Sequence, residues 1–229
     1  PTNSTTVITA SMSSLDWSWD FGDGSSVYTA QNPTHSYTIA GNYTIEMISE
    51  TDQGCADTTT QTIVIDPKPR ASFLADTACL HQTTTFTDLS TVPTGSVVAW
   101  NWSISGNPTV QNPTTVFSSD GTFPISLTVT TDSVCTDDTT INIVVRPLPT
   151  PDFSFAPQEI FIFDTKVCFF NSSTGAIGYQ WDFDFTGPDG TSTNPAPCTV
   201  TFPNTNEGNY NVKLVAINQY GCKDSVYNE

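Results

Sequence analysis

Positive charge is scarce in this sequence. Its 229 residues include 6 Lys or Arg against 23 Asp or Glu, for a formal net charge of −17. A chain so charged repels phosphate backbones and anionic lipid surfaces, which argues against nucleic acid or a membrane surface as partner. Histidine is nearly absent, with only His35 and His81. Neither G-x-S-x-G nor H-E-x-x-H occurs, so the sequence places no base for nucleophilic or zinc-dependent hydrolysis, and no enzymatic activity is expected. No run of 18 apolar residues occurs, so no helical membrane insertion is predicted. A secretory leader is not recognisable, and the chain opens in mid-pattern, so a segment of a longer protein is expected. Helical periodicity is missing too. Apolar runs are short, β-branched and broken by Gly, Pro and Asn, which is the pattern of an all-β chain.

What the sequence does have is aromatic alternation. Trp17, Trp19 and Phe21 share a parity in WSWDFGDG. Trp100, Trp102 and Ile104 do so in WNWSISG, and Tyr179, Trp181, Phe183 and Phe185 in YQWDFDFTG. Period-two spacing puts each set on one face of a strand. Burial stabilises by roughly 1.5–3 kcal/mol per large side chain, so these three read as core strands.

Other landmarks recur in the same order. Asn32-Pro33 returns as Asn112-Pro113 and Asn194-Pro195. Gly41-Asn42-Tyr43 returns as Gly121-Thr122-Phe123 and Gly208-Asn209-Tyr210, and Gly54-Cys55-Ala56-Asp57 as Val134-Cys135-Thr136-Asp137 and Gly221-Cys222-Lys223-Asp224. Trp19, Trp102 and Trp181 lie 83 and 79 residues apart. That period is too long for a solenoid unit and fits a small β-sandwich. Three tandem domains are predicted, at 1–66, 70–146 and 150–229, the first incomplete at its start. Asp66-Pro67-Lys68-Pro69 and Arg146-Pro147-Leu148-Pro149 would join them as stiff, extended spacers.

With WDFGDG, Asn-Pro-Thr-His-Ser-Tyr and Gly-Asn-Tyr-Thr-Ile-Glu-Met, the first copy resembles the polycystic-kidney-disease (PKD) domain, an immunoglobulin-like β-sandwich. The third copy departs from the pattern at Asp184-Phe185, and the second has Ser103-Ile104-Ser105-Gly106 where WDFGDG is expected. The resemblance implies three tandem immunoglobulin-like, PKD-type sandwiches in an extended rod, with no catalysis. It speaks to fold more than to function, because one fold hosts many functions.

Within this frame, strands are expected at residues 5–11, 17–21, 26–28, 34–39, 43–47 and 59–65 of the first copy. The second copy's core is expected from Phe73, Phe86, Trp102, Phe117, Phe123, Ile125, Leu127 and Val129. The third's is expected from Phe153, Phe155, Phe169, Trp181, Phe183, Phe202, Tyr210, Val212 and Leu214. The third copy's closing strand is expected to be mostly missing. Tyr43 and Tyr210, each just after a Gly at a strand start, are expected to form tyrosine corners.

Six cysteines without a CxxC motif suggest disulfides and an oxidising compartment. Cys79 and Cys135 are the two that fall in the second domain and are paired first. Their loop of 56 residues (135 − 79 = 56) would stabilise by about 4 kcal/mol in the chain-entropy model. Cys168 with Cys198 is the second expected pair, on neighbouring strands of this fold, and Cys168 with Cys222 is its rival. Cys55 and Cys222 are then left over. Asp20, Asp23, Asp184 and Asp189, with Asp182, have the chemistry of calcium ligands. The favoured reading is a set of turns in which Asp accepts bonds from nearby amides, with no cofactor. The aromatic rows are expected in the core, which leaves Tyr28, Tyr179, Tyr220 and Tyr227 as the rings available to a sugar. His35 is expected to be structural. N-x-S/T sequons stand at Asn3, Asn42, Asn101 and Asn171.

The function these features imply is mechanical and adhesive. The chain is expected to be a non-catalytic extracellular spacer and interaction surface of a large cell-surface adhesin. It is similar to the cysteine-bearing tandem repeats of gliding or biofilm-forming bacteria, and gliding motility is the sharpest form of that reading. The expected partners are neighbouring repeats of the parent chain and a surface polysaccharide or protein ligand. The alternative is a polysaccharide- or protein-binding accessory module of a secreted hydrolase.

Overall fold

The computed structural model describes residues 15–161, 164–203 and 208–229. Among them every regular element is a β-strand. The early strand expected at residues 5–11 and the sequon at Asn3 lie outside the described residues. The chain forms two compact units. One holds the described residues up to Arg70 with Thr91–Val98 and Thr130–Asp137, the other Ala71–Ser90, Ala99–Val129 and Asp138–Glu229.

In the first unit, β1 (Leu15–Asp20), β2 (Gly41–Thr51) and β3 (Ala56–Ile65) form an antiparallel sheet with β2 at its centre. Register places Trp19 opposite Met47 and Tyr43 opposite Ile63. Phe21, just past β1, is buried. It stacks on His35 at 4.3 Å and meets Tyr28 and Tyr37 edge-on. The expected strand at 26–28 shrinks to one bridge, in which Tyr28 and Trp19 exchange backbone bonds of 2.8 and 3.0 Å. No strand forms at 34–39. There the alternating His35 and Tyr37 still turn inward, but the backbone finds no ladder partner, so alternation marks side-chain direction alone.

Six strands follow: β4 (Phe73–Ala75), β5 (Thr83–Asp88), β6 (Val97–Trp102), β7 (Thr114–Val116), β8 (Gly121–Thr131) and β9 (Thr136–Val145). They make two three-stranded sheets, β4-β5-β7 and β6-β8-β9. Inward residues of both meet in one core. Trp102 lies 5.0 Å from Phe73 and 5.5 Å from Phe86, over buried Leu127, Val129 and Val145. Phe117 and Phe123 stay half-buried at its edge, paired with each other at 5.2 Å.

The last seven strands are β10 (Phe153–Ala156), β11 (Lys166–Asn171), β12 (Gly178–Asp182), β13 (Thr191–Ser192), β14 (Val200–Thr201), β15 (Val212–Ile217) and β16 (Lys223–Asn228). They form the sheets β10-β11-β14 and β13-β12-β15-β16. Between them lie Phe153, Phe169, Trp181, Phe183, Phe202, Val212 and Leu214, all buried. At roughly 1.5–3 kcal/mol per large side chain, this packing is what orders a segment with so few charges to pair. The closing strand expected to be missing is present. All six residues of β16 pair along β15, from Lys223 opposite Ile217 to Asn228 opposite Val212.

Candidate functional site

The WDFGDG turn is built by Asx geometry and one required glycine. Asp20 Oδ1 accepts the amide of Gly22 at 2.8 Å. Gly22 has φ +75°, and a Cβ there would stand 2.5 Å from the Thr44 carbonyl oxygen, so only glycine fits. Asp23 Oδ1 accepts the Ser25 amide at 3.0 Å, and its Oδ2 meets His35 Nε2 at 2.8 Å. Hydrogen bonds from Ser25 first, then His35, lower the Asp23 pKa to about 2. His35 Nδ1 continues to the Tyr28 hydroxyl at 3.3 Å.

The third copy rebuilds the same turn without the glycine. Asp182 Oδ1 accepts the Asp184 amide at 3.1 Å, and Asp184 itself takes the left-handed conformation at φ 63°. Asp tolerates that region better than most residues. Its carboxylate then accepts the Asn211 amide at 3.0 Å, on the strand side that Gly22 approaches in the first copy. Asp20, Asp23 and Asp184 thus each serve a backbone amide, as the turn reading requires. Asp189 is exposed in the following loop. Among the described residues, no group of three His, Cys, Asp or Glu side chains is placed to hold a metal ion.

The cysteines are arranged differently from the sequence expectation. Cys79 bonds Cys222 and not Cys135, spanning 143 residues with the two Cα atoms 5.6 Å apart. The cause is the segment around the second proline linker. Arg146 N donates to Ala78 O at 2.8 Å and Leu80 N to Arg146 O at 2.9 Å, which fixes Cys79 beside the linker. Asn218 Nδ2 donates to Pro147 O at 3.0 Å and brings the β15–β16 hairpin, with Cys222, to the same place. Gln82 Nε2 donates to Lys223 O at 2.6 Å, and the Arg146 guanidinium sits 4.0 Å over the Tyr220 ring. Cys222 is wholly buried and Cys79 nearly so. Cys168 on β11 bonds Cys198, 30 residues on. Cys55 and Cys135 are free thiols.

Of the core markers, Trp102 and Trp181 are buried and donate from Nε1 to Val110 O at 3.1 Å and Asn194 O at 2.9 Å. Trp19 is half-buried, and its Nε1 has no hydrogen-bond partner among the described residues. Tyr43 donates its hydroxyl to Ile39 O at 2.8 Å, and Tyr210 donates to Pro203 O at 3.4 Å, both in the tyrosine-corner manner. Tyr28, Tyr220 and Tyr227 are exposed, while Tyr179 packs against the third core. One polar node was not anticipated. Asp88 Oδ2 accepts from Trp100 Nε1 at 2.7 Å and Gln111 Nε2 at 3.2 Å, and Oδ1 accepts the Ser90 amide at 2.9 Å. Burial pushes the Asp88 pKa up, but the bonds from Ser90, Trp100 and Gln111 outweigh it and hold the carboxyl below its ordinary range. Its sequence signal, an Asp before Leu-Ser, is not distinctive. A groove of about 540 Å³ opens in the third copy beside Phe155, Ile160, Phe202 and Tyr210.

Residues 3–67 match the family model described as PKD domain. The pre-pro-metalloprotease PrtV of Vibrio cholerae is 33% identical over 137 residues, which is 58% of this chain and 14% of that protein. The chain therefore spans about one-seventh of the length of the curated relatives it matches. Among solved structures, the PKD1 domain of Vibrio anguillarum Epp is 25% identical with a TM-score of 0.33, covering 36% of this chain and 98% of that one. A 1.5-MDa bacterial ice-binding adhesin is 12% identical with a TM-score of 0.38, covering 95% and 85%. The first copy carries the full turn, stacked histidine and tyrosine corner, and it is within residues 3–67 that the chain is similar to the PKD domain.

Proposed function

We propose that this chain is a non-catalytic, extracellular load-bearing spacer of a large cell-surface adhesin. The observation that carries the reading is the Cys79–Cys222 bridge, which ties the third copy's hairpin to the second copy across the Pro147-Leu148-Pro149 linker. A flexible presentation module gains little from such a bond. A spacer gains directly, because force on the linker is carried by a covalent bond and by the contacts of Asn218, Gln82 and Arg146 around it. Disulfides also persist in an oxidising, extracellular setting. The acidic surface keeps repeats soluble and apart. Gliding motility is the narrowest form of this role.

A second reading is favoured by the 33% identity to the pre-pro-metalloprotease PrtV of Vibrio cholerae. In it the chain is an accessory module that holds substrate near a catalytic domain, using the third-copy groove or the exposed Tyr220 and Tyr227. One experiment separates the two. The purified chain is passed over insoluble polysaccharides, collagen and abiotic surfaces, with and without Ca²⁺, and binding is followed by surface plasmon resonance. No saturable binding is expected of a spacer. Saturable binding to one polymer, lost in Y220A or Y227A, would replace the spacer reading with the accessory one.

A further inference from the structure

Two sheet edges meet beside the second proline linker and then part. Arg146 N donates to Ala78 O at 2.8 Å and Leu80 N donates to Arg146 O at 2.9 Å, so the two segments run parallel there. Ahead of that point β4 and β9 separate. Each is the outermost strand of its sheet, in the orders β4-β5-β7 and β6-β8-β9. Among the described residues, no backbone bond joins residues 73–77 to residues 141–144. A slot of about 380 Å³ opens between them, lined by buried Phe73 and by exposed Leu74, Ile141 and Val144. A sheet edge keeps unpaired amides and carbonyls, and extended segments of other chains add to such edges. Residues 141–144 offer roughly 13 Å of extended chain.

One end of the slot carries the charge. Of the 6 basic residues in the chain, Arg146 is the one that lines it. Its guanidinium lies 4.0 Å over the Tyr220 ring. Among the described residues no carboxylate pairs with it, although the chain has 23 acids to offer. A guanidinium held on a ring in this way keeps its fork of donors for planar, two-point bonding to a carboxylate. Asp76 is the one acid on the walls, and its Oδ1 already accepts the Thr85 amide at 2.9 Å. The net charge of −17 repels a polyanion, so the slot suits a ligand with one acid in an otherwise neutral body. One face of Tyr220 is covered by the guanidinium, while the edges beside it offer main-chain partners. Both points favour an extended peptide over a stacked sugar.

We propose that the slot between β4 and β9 binds an extended peptide segment with a single carboxylate, its backbone pairing along the free β9 edge and its carboxylate on Arg146. Leu74 and Val144 then cover the peptide's apolar side chains. This inference goes beyond the spacer and accessory readings and holds under either.

The test titrates the whole chain, with its Cys79–Cys222 bond formed, by isothermal calorimetry with acetyl-Thr-Val-Asp-Val-Thr-amide. Saturable binding below about 1 mM is expected. Asn in place of the peptide's Asp, and Arg146→Ala in the protein, should each weaken it by about tenfold or more. Leu74→Glu, at an exposed position, should weaken it by repulsion, and Asp76→Asn, which keeps the acceptor for Thr85, should tighten it. The same peptide N-methylated at every residue should not bind, because it has no amide to give the edge. Absence of saturable binding, or equal binding of the Asp and Asn peptides, would overturn the proposal. So would glucuronate binding as tightly as the peptide, which would put a sugar acid in the slot. A dimer in sedimentation that Leu74→Glu dissolves would assign the slot to a second copy and overturn it too. Where Arg146→Ala melts below the wild type, Leu74→Glu with a wild-type melt decides, and peptide binding unchanged in that variant would sink the idea.

Discussion

Reduction of the Cys79–Cys222 bond should release a fixed length of chain under force. The bond encloses 143 residues, and the Cys168–Cys198 bond lies inside that loop. A chain pulled from its ends with both bonds intact cannot extend any residue between 79 and 222. Each extended residue spans about 3.3–3.6 Å, so full reduction frees roughly 500 Å of contour. Pairing within the second copy, Cys79 to Cys135, would give a different value. It would lock only 56 residues (135 − 79 = 56), with 30 more between Cys168 and Cys198, and would free roughly 300 Å. The two figures are well separated for optical tweezers. The same bond removes loop entropy from the unfolded chain, worth about 5 kcal/mol for a loop of this size in the chain-entropy model. The assay is force extension before and after a reductant, with denaturant melts of C79S/C222S alongside. A released length near 300 Å, or none, would refute the cross-copy linkage. A melt unchanged by the double variant would refute its energetic role.

Three smaller perturbations test the geometry elsewhere. Val134 is 78% exposed with φ 64°, a β-branched residue in the left-handed region, where Gly54 and Gly221 stand in the other copies; Val134→Gly should raise stability by about 1 kcal/mol in urea melts, because relief of backbone strain exceeds the entropy that glycine adds to the unfolded chain. Thr84 is fully buried on β5, with no partner for its hydroxyl among the described residues. Thr84→Val, nearly the same shape, should therefore stabilise by about 1 kcal/mol, and a loss in thermal melts would mean that the hydroxyl is satisfied. Asp23 contributes through a depressed pKa, from 3.8 to about 2, so its stabilisation is present above its ordinary value and is lost as pH falls from about 4 towards 2. Asp23→Asn should flatten that part of the pH–stability profile, and a profile identical to wild type would remove the role given to Ser25 and His35.

Much of this fold was legible because burial writes itself into period two. The parity of Trp102 and Ile104, and of Trp181 and Phe183, places them in the core as read, since a one-residue slip would send every ring to solvent. The turn chemistry was legible for a related reason. Asp20 and Asp182 each sit two residues before a left-handed residue, and an Asp in that place accepts the amide by local geometry alone. Strands defined by backbone pairing were less readable. Residues 34–39 have the alternation of a strand but no neighbour, whereas Lys223–Asn228 has little apolar signal and pairs fully, because β15 offers it an open edge.

The cysteine pairing failed for a reason that reaches past this one bond. Assigning Cys79 to Cys135 assumed that a disulfide staples the core of its own copy. The core has no need of it: Phe73, Phe86 and Trp102 already pack within 6.0 Å of one another, centroid to centroid. The weak place is the linker, where two prolines supply stiffness but remove amide donors and leave few bonds to hold one copy against the next. Cys79, Arg146, Asn218 and Cys222 all gather there. None of the four carries a local signature, since their meaning depends on which ends of two copies face each other. In a tandem chain, cysteine arithmetic should therefore be done across each boundary as well as within each repeat.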